Sequence, residues 1–304
     1  MALAMIKETM TIKGSLLKGE SMSRHTSWRV GGNADCFYRP LDLQDLSLFL
    51  KSLKEGESVF WLGLGSNILI NDEGIKGTVI CTSGAFSEIK QLDENHIYVE
   101  AGVASPKLAK FSAKCGLTGA EFLSGIPGTV GGALKMNAGA VGGETWDIVE
   151  SVKTIDIFGE VHTRQPEEFL VSYRHTESKE QLKEWFVSAI IKLSVGDKNE
   201  SLQKIKKYLT RRSATQPTQQ PNAGSVFKNP DNDYAARLIE KCGLKNYCIG
   251  GACVSEKHAN FIINTGTATA ADIEALIEHV HATVYQQYNV DLTREVQSIG
   301  ENGE

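Results

Sequence analysis

Six cysteines are spread over 304 residues, at 36, 81, 115, 242, 248 and 253, without one C-x-x-C pair, and no histidine stands at the spacing of a zinc site. The cysteines therefore read as buried, reduced thiols. The histidines are equally dispersed: His279 and His281, two apart on a predicted helix, point to different faces, and no metal site is expected. No run of ~18 apolar residues occurs, so no membrane span is expected. The start, Met1-Ala2-Leu3-Ala4-Met5-Ile6, is broken by Lys7 and Glu8 before it reaches the ~7–15-residue apolar core of a secretory signal, and a cytoplasmic location is expected. With a net charge of −5 and no long basic block, the chain lacks what a nucleic-acid partner requires. It also lacks the G-x-x-x-x-G-K-[ST] loop, which removes support for phosphoryl transfer, and a G-x-G-x-x-G turn between strand and helix, which removes the usual Rossmann reading. No repeat of ~20–50 residues is evident, so solenoids and propellers are set aside.

What the chain has in abundance is glycine in one place. From Ser124 to Gly143, seven of twenty residues are glycine, running Ser124-Gly125-Ile126-Pro127-Gly128-Thr129-Val130-Gly131-Gly132-Ala133 and on through Met136-Asn137-Ala138-Gly139. Each glycine in a packed element costs ~0.5–1 kcal/mol relative to alanine, so such density implies that something approaches the backbone closely. Successive N–H groups in glycine turns form a donor surface suited to phosphate, and the stretch reads as a cofactor cradle. A second loop, Gly63-Leu64-Gly65-Ser66-Asn67, lies between the apolar runs Val59-Phe60-Trp61-Leu62 and Ile68-Leu69-Ile70. Two such loops suit a dinucleotide.

Helices and strands alternate as in a mixed α/β or α+β chain. Asp42 should cap a helix with Leu43, Leu46, Phe49, Leu50 and Leu53 on one face. Ser105 should cap a second, with Pro106 at its first position and Cys115-Gly116 closing it. Further helices are expected from about Ser201 through Leu209, from Tyr234 to Cys242, and from Ala270 to Tyr288; strands are expected at Ile97 to Ala101, Val149 to Phe158 and Trp185 to Leu193. The polar, proline-punctuated stretch Ser213 to Asn222 reads as a boundary loop, with a domain change near residue 210.

Three polar positions could do chemistry. Asn222-Ala223-Gly224-Ser225-Val226-Phe227-Lys228-Asn229-Pro230 presents Ser225, Lys228 and Asn229 from one bend, or is a structural turn. Ser225 lacks the G-x-S-x-G surround of a nucleophile, so a catalytic Ser225 would be a proton donor. Arg174, in Tyr173-Arg174-His175, is a solvated charge or a planar clamp for a carboxylate or a developing oxyanion. Glu295 alternates with Leu292 and Val296 in a strand-like segment, by itself an ordinary half-exposed carboxylate.

Taken in order, the segments Thr26-Ser27-Trp28-Arg29-Val30-Gly31-Gly32, Gly63 to Leu69, Ser124 to Gly142, Ser172-Tyr173-Arg174, Asn222 to Pro230, His258-Ala259-Asn260-Phe261-Ile262-Ile263-Asn264 and Arg294-Glu295-Val296 resemble the UDP-N-acetylenolpyruvoylglucosamine reductases of bacterial peptidoglycan synthesis. The resemblance implies an α+β architecture, in which a two-domain vanillyl-alcohol-oxidase-like FAD-binding fold is joined by a C-terminal substrate-binding domain. The implied division is 1–80, to which 292–304 returns, then 81–209, then 210–291. Non-covalent FAD would be held by Gly63, Leu64, Gly65, Ser66 and Asn67 and by Ser124, Gly125, Ile126, Pro127, Gly128, Thr129, Gly131, Gly132, Ala138 and Gly139. The implied reaction is reduction of UDP-N-acetylglucosamine enolpyruvate to UDP-N-acetylmuramate, with NADPH as hydride donor. Arg174 and Glu295, the latter protonated or acting through a hydrogen bond, would stabilise the enolate, and Ser225 would protonate it. Tyr173, Arg212, Lys228 and Asn229 are implied substrate contacts. One branch of that family carries a tyrosine-bearing insert over the substrate diphosphate; the interval from Cys242 to His258 is too short for it, so the chain resembles the shorter branch. Oligomeric state is left open. The competing readings are a sugar or alcohol oxidase of the same flavin fold, and a non-catalytic nucleotide-sugar binding module, which would need only one cradle.

Overall fold

The computed structural model describes residues 12–54 and 56–300. The reading of the chain start, Met1 to Glu8, and the last four residues of the implied return 292–304 lie outside the described residues.

The first unit comprises β1 (Ser15–Ser21), β2 (Asn33–Arg39), α1 (Leu43–Ser52), β3 (Val59–Leu62), β4 (Ile68–Ile70) and β5 (Ile75–Cys81). Its main sheet has the order β1-β2-β5-β3, with β1 antiparallel to β2 and the pairs β2–β5 and β3–β5 parallel. Parallel strands demand crossovers: α1 carries the chain from β2 to β3, and the segment containing β4 carries it from β3 to β5. As expected, Asp42 caps α1, its carboxylate accepting the Asp45 amide at 2.8 Å. Leu46, Phe49 and Leu50 go down against Tyr38 and Ile80 of the sheet, joined by Ile155 and Val187 of the second unit.

The second unit comprises β6 (Ile89–Gln91), β7 (His96–Glu100), α2 (Ser105–Lys114), β8 (Leu117–Thr118), α3 (Val130–Lys135), β9 (Gly139–Ala140), β10 (Gly143–Glu144), β11 (Val149–Asp156), β12 (Val161–Arg164), β13 (Phe169–Ser172), β14 (His175–Ser178), β15 (Glu184–Lys192), β16 (Ser194–Val195) and α4 (Lys198–Thr215). An antiparallel sheet, β12-β11-β15-β7-β6, carries one apolar face, and Leu108 and Ala109 of α2, Val130 and Leu134 of α3 and Ile205 of α4 cover it. Two helix boundaries differ from expectation. Ser105 is the first residue of α2 rather than its cap: its amide donates to the Gly128 carbonyl at 2.9 Å, and its buried hydroxyl makes no hydrogen bond among the described residues. Helix α4 starts three residues earlier than expected, after Asp197, whose carboxylate accepts the Glu200 amide at 2.8 Å, and it runs on through Thr215. Residue 210 therefore lies inside a helix, and the irregular connection begins at Gln216.

The third unit comprises α5 (Ala235–Lys241), β17 (Cys248–Ile249), β18 (Ala252–Val254), β19 (Ile262–Asn264) and α6 (Ala270–Tyr288), with β17-β18-β19 antiparallel. The expected stripe Ile273, Leu276, Ile277, Val280 and Val284 is buried, and Asn289, with φ +54, ends α6 in the left-handed conformation. Trp28, Val30 and Leu69 of the first unit belong to the same apolar cluster, so the third unit's core is shared. After it the chain returns: β20 (Gln297–Ile299) pairs in parallel with β4.

The cysteine expectation fails for one pair. Cys248 and Cys253 are directly opposed across β17 and β18 and form a disulfide. The signal was Cys-Ile-Gly-Gly-Ala-Cys, in which a two-residue Gly-Gly turn makes equidistant residues cross-strand neighbours. Of the other four cysteines, Cys81 is buried and Cys36, Cys115 and Cys242 are half-buried free thiols. Among the described residues no helix is long and apolar enough to cross a membrane.

Candidate functional site

Loop 63–67 joins the ends of two strands that lie in different sheets, β3 and β4, and its geometry turns one set of backbone groups outward. The Gly65 carbonyl accepts the Ser27 amide at 2.9 Å, and the Asn67 carbonyl accepts the Gln297 amide at 3.1 Å. Among the described residues no acceptor takes the amides of Gly63, Leu64, Gly65, Ser66 or Asn67. Five consecutive N–H groups left without protein partners, in a loop where the carbonyls of Gly65 and Asn67 are engaged, form a donor surface that fits an anion. Gly65 adopts φ +61, and a Cβ there would stand 2.1 Å from the His25 carbonyl oxygen. Its lack of a side chain is thus required by the protein itself.

In the stretch 124–143 Gly142 holds φ +88, and the other six glycines divide into two kinds. A Cβ on Gly131 would meet Ala101 at 3.0 Å, one on Gly143 would meet the Phe122 ring at 2.8 Å, and one on Gly139 would meet the Gly143 carbonyl at 2.7 Å. These three are demanded by packing, which corrects the expectation that the whole density serves a ligand. Gly125, Gly128 and Gly132 have their nearest atoms at 3.8, 3.4 and 3.7 Å, so protein packing gives no reason for their being glycine. Gly128 faces the Ser66 hydroxyl, and a Cβ on Gly63 would meet the Thr129 hydroxyl at 2.5 Å, so the two loops form one cradle. Thr129 caps α3, accepting the Gly132 amide at 3.3 Å. Ser124 is fully buried and bonds back to the Glu121 carbonyl at 2.6 Å, a local structural role. Ile126 and Pro127 carry the chain between the open glycines, and the Ala138 carbonyl accepts the Thr145 hydroxyl at 2.6 Å.

Arg174 stands at the tip of the two-stranded hairpin β13–β14, where Ser172 pairs with His175 and Arg174 itself has φ +56. Its Nε donates to Glu295 Oε1 at 2.8 Å and its Nη2 to the Gly139 carbonyl at 2.9 Å. The guanidinium also lies 4.8 Å from the centre of the Tyr173 ring. Glu295 comes from the returning C-terminal segment, 121 residues away, and the two side chains are 18 and 17 % exposed. Burial pushes the Glu295 carboxyl above its ordinary range, opposed by the charges of Arg174 and Lys228. The expected strand around Glu295 is reduced to one bridge, Phe227 with Arg294, followed by β20; Leu292 and Val296 are buried as expected.

Ser225 is brought to the same place through its neighbour. The Glu295 amide donates to the Val226 carbonyl at 2.8 Å, and the Lys228 amide to the Thr293 carbonyl at 2.8 Å, so segment 225–228 runs beside 293–296. The Ser225 hydroxyl and the Lys228 ammonium have no hydrogen-bond or ion-pair partner among the described residues. Asn229 is differently employed: its Oδ1 accepts the Ala235 amide at 3.2 Å at the start of α5. Arg212, in the last turn of α4, is half-buried with Gln216 Oε1 at 3.0 Å, and loss of solvation lowers its pKa. Tyr173 is 45 % exposed beside Arg174.

Sequence reasoning named the residues that hold these groups only as parts of motifs and missed their supporting roles. Buried Asn260 accepts the Phe227 amide at 3.0 Å and donates to the Phe227 carbonyl at 2.8 Å, fixing the strand that carries Ser225. Trp28 donates to the Ile262 carbonyl at 2.7 Å while Asn264 donates to the Trp28 carbonyl at 2.9 Å, clamping the first unit to the third. The Asn67 amide side chain donates to the Glu295 carbonyl at 3.0 Å, linking loop 63–67 to the half-buried carboxylate. Their signal was present as amide side chains inside apolar runs, such as Asn260 and Asn264 around Phe261-Ile262-Ile263.

Two family models match the chain: an FAD binding domain over residues 34–164, and the C-terminal domain of UDP-N-acetylenolpyruvoylglucosamine reductase over residues 216–299. A UDP-N-acetylenolpyruvoylglucosamine reductase of Legionella pneumophila is 56 % identical over 290 residues, covering 95 % of this chain and 94 % of the relative. One from Methylococcus capsulatus is 53 % identical, covering 95 % and 94 %. The crystal structure of UDP-N-acetylenolpyruvylglucosamine reductase from Thermus caldophilus superposes with a TM-score of 0.79 at 32 % identity, covering 95 % of this chain and 99 % of the other.

Proposed function

The chain belongs to the family of UDP-N-acetylenolpyruvoylglucosamine reductases, and from that membership we propose how its own residues carry the reaction. It is a flavin-dependent oxidoreductase of peptidoglycan synthesis that uses NADPH to reduce UDP-N-acetylglucosamine enolpyruvate to UDP-N-acetylmuramate. Its fold is the two-domain FAD-binding type joined to a C-terminal substrate domain. FAD bound in this cradle would supply the hydride chemistry between NADPH and the enolpyruvyl group. We divide the chain at 1–80 with 292–304, 81–209 and 210–291, the second boundary lying within α4. The cytoplasm, where NADPH is regenerated, is the proposed location.

The five free amides of 63–67 and the bare faces of Gly125, Gly128 and Gly132 fit an anionic, close-lying cofactor, and we assign them to the FAD pyrophosphate and its neighbouring groups. The remaining cradle residues, Ser124, Ile126, Pro127, Thr129, Gly131, Ala138 and Gly139, shape that seat.

Addition of hydride to the terminal enolpyruvyl carbon builds negative charge on the adjacent carbon and its carboxylate. Arg174 supplies fixed N–H donors and positive charge to that carboxylate, in a half-buried site where such charge acts at low dielectric. Glu295, whose carboxyl pKa burial raises against the pull of Arg174 and Lys228, is proposed to act on the same developing enolate as the protonated acid or through a hydrogen bond. The Ser225 hydroxyl then delivers a proton to the carbanionic carbon; a weak acid suffices because an enolate is strongly basic. Lys228, Arg212 and Tyr173 are proposed to meet the phosphate, sugar and carboxylate groups of the substrate, and Asn229 can do so through its amide nitrogen. The observation that carries this reading is the meeting of Arg174, Glu295 and the Ser225 segment from three remote parts of the chain, beside the cradle.

The test is anaerobic absorbance of the holoenzyme. In Ser225→Ala, bleaching of the flavin bands by NADPH should keep its rate, while their return on adding the enolpyruvyl nucleotide sugar should slow by about 10²–10⁴, the usual worth of a general acid. Undiminished return of the bands would overturn the assignment of Ser225.

A further inference from the structure

Arg174 is held where a hairpin alone cannot hold it. The hairpin β13–β14 has four residues per strand and pairs with neither large sheet, and an isolated two-stranded hairpin is marginal in water. Its base is anchored, Phe169 lying 4.8 Å from the Trp146 ring and 5.6 Å from that of Phe186. Beyond the base, Leu170, Val171 and Tyr173 are exposed, and Thr176 is the one buried residue of the hairpin's outer half. Two side chains reach the tip from α3 and the turn after it, Lys135 with a flexible ammonium 3.4 Å from the Thr176 carbonyl, and Asn137.

Asn137 is built for that task. It is 1 % exposed and holds φ +41, a left-handed conformation that asparagine tolerates better than most residues. Its Nδ2 donates to the Ser172 carbonyl at 3.1 Å, two residues before Arg174, and to Glu144 Oε2 at 2.8 Å. Its Oδ1 accepts the Trp146 amide at 3.2 Å. Two residues further along, the Gly139 carbonyl accepts from Arg174 Nη2, and a Cβ on Gly139 would press to 3.3 Å from Nη1. One turn of backbone, 137–139, therefore grips the hairpin tip at its strand and at its guanidinium.

We infer that Asn137 is a positioning residue for the second half-reaction: it latches the Arg174 hairpin to the flavin cradle and so sets the distance between the guanidinium and the carboxylate on which charge develops. This rests on the proposed role of Arg174. Misplacing such a group by about 1 Å can cost on the order of 10²-fold in rate, while transfer of hydride from NADPH to the flavin does not call on Arg174.

Two variants test it in the holoenzyme. Asn137→Gly keeps the left-handed backbone and removes the latch. The double change Asn137→Asp with Glu144→Gln keeps volume and a donor–acceptor link between 137 and 144, but leaves the Ser172 carbonyl without its donor. Both should retain flavin and reduce it with NADPH within about twofold of the parent, and both should return the flavin bands about ten- to a hundredfold more slowly with the enolpyruvyl nucleotide sugar. Equal losses in the two half-reactions, or lost flavin in both variants, would make Asn137 a general structural residue and overturn the inference; so would unchanged rates. Arg174→Lys, measured alongside, separates the two levels. If it slows the second half-reaction and the Asn137 variants do not, only the latch is wrong; if it slows neither, the role of Arg174 itself is wrong.

Discussion

The two sides of the proposed site are made of different material. The cradle is backbone: five free amides in 63–67 and three glycines in 124–132 whose bare faces no protein atom explains. The opposite side is side chains, Arg174, Ser225 and Glu295, delivered by a hairpin tip, an irregular strand and the returning C-terminal segment. Backbone donors are fixed by local chain geometry and fail when that geometry is altered. Side-chain donors depend on what lies behind them, and fail when a remote support is altered.

The sharpest way to test that contrast lies within the cradle itself. Gly65→Ala should have the largest effect of the changes considered, because the residue sits at φ +61 and its Cβ would overlap the His25 carbonyl. A loss of about 3 kcal/mol or more is expected in the stability of the apoprotein, with little folded flavoprotein recovered, measured by thermal melting with and without FAD. Gly128→Ala should behave otherwise. Its Cβ meets only the Ser66 hydroxyl, at an ordinary 3.4 Å, so the apoprotein should melt within about 2 °C of the parent while FAD affinity falls about tenfold or more. Equal apoprotein losses in both variants would mean that Gly128, too, is a packing glycine, and the open face would then not be the cofactor's.

The same contrast explains how much was legible in the sequence. Glycine density located both loops, since a run such as Gly125, Gly128, Gly131 and Gly132 is conspicuous without any knowledge of tertiary contacts. It could not tell Gly128 from Gly131, because which glycine is forced by packing depends on Ala101, thirty residues away. Helices with a marked apolar stripe, α1 and α6, were readable to within a residue; α4 was not, because its last turn is polar and the first proline after it is Pro217. Arg174, Ser225 and Glu295 were individually ordinary, and only the ordered resemblance joined them. The disulfide was missed because a search for metal-type spacing passes over Cys248 and Cys253, whose partnership comes from strand pairing across a Gly-Gly turn.

The smallest effect expected is on stability, and it concerns the cost of keeping Glu295 where it is. Burial raises its folded-state pKa above the ordinary value of 4.5, against the pull of Arg174 and Lys228. An acid whose pKa is higher in the folded state binds its proton more tightly there. Its favourable contribution is therefore complete below pH 4.5, and is lost as pH rises from 4.5 through the raised value. Once ionised, the carboxylate is a liability to the fold. Glu295→Gln keeps an acceptor for the Arg174 Nε and removes the titration, so it should melt slightly above the parent at pH 7.5. That advantage should vanish on acidification toward pH 4.5, where the parent's carboxyl carries its proton and resembles the amide. The same variant should return the flavin bands more slowly with substrate at every pH. A variant that melts lower than the parent at pH 7.5 would show that the charge on Glu295 stabilises Arg174 more than burial penalises it, and would put this carboxylate with the backbone cradle as a structural support rather than with Ser225 as a group held ready for chemistry.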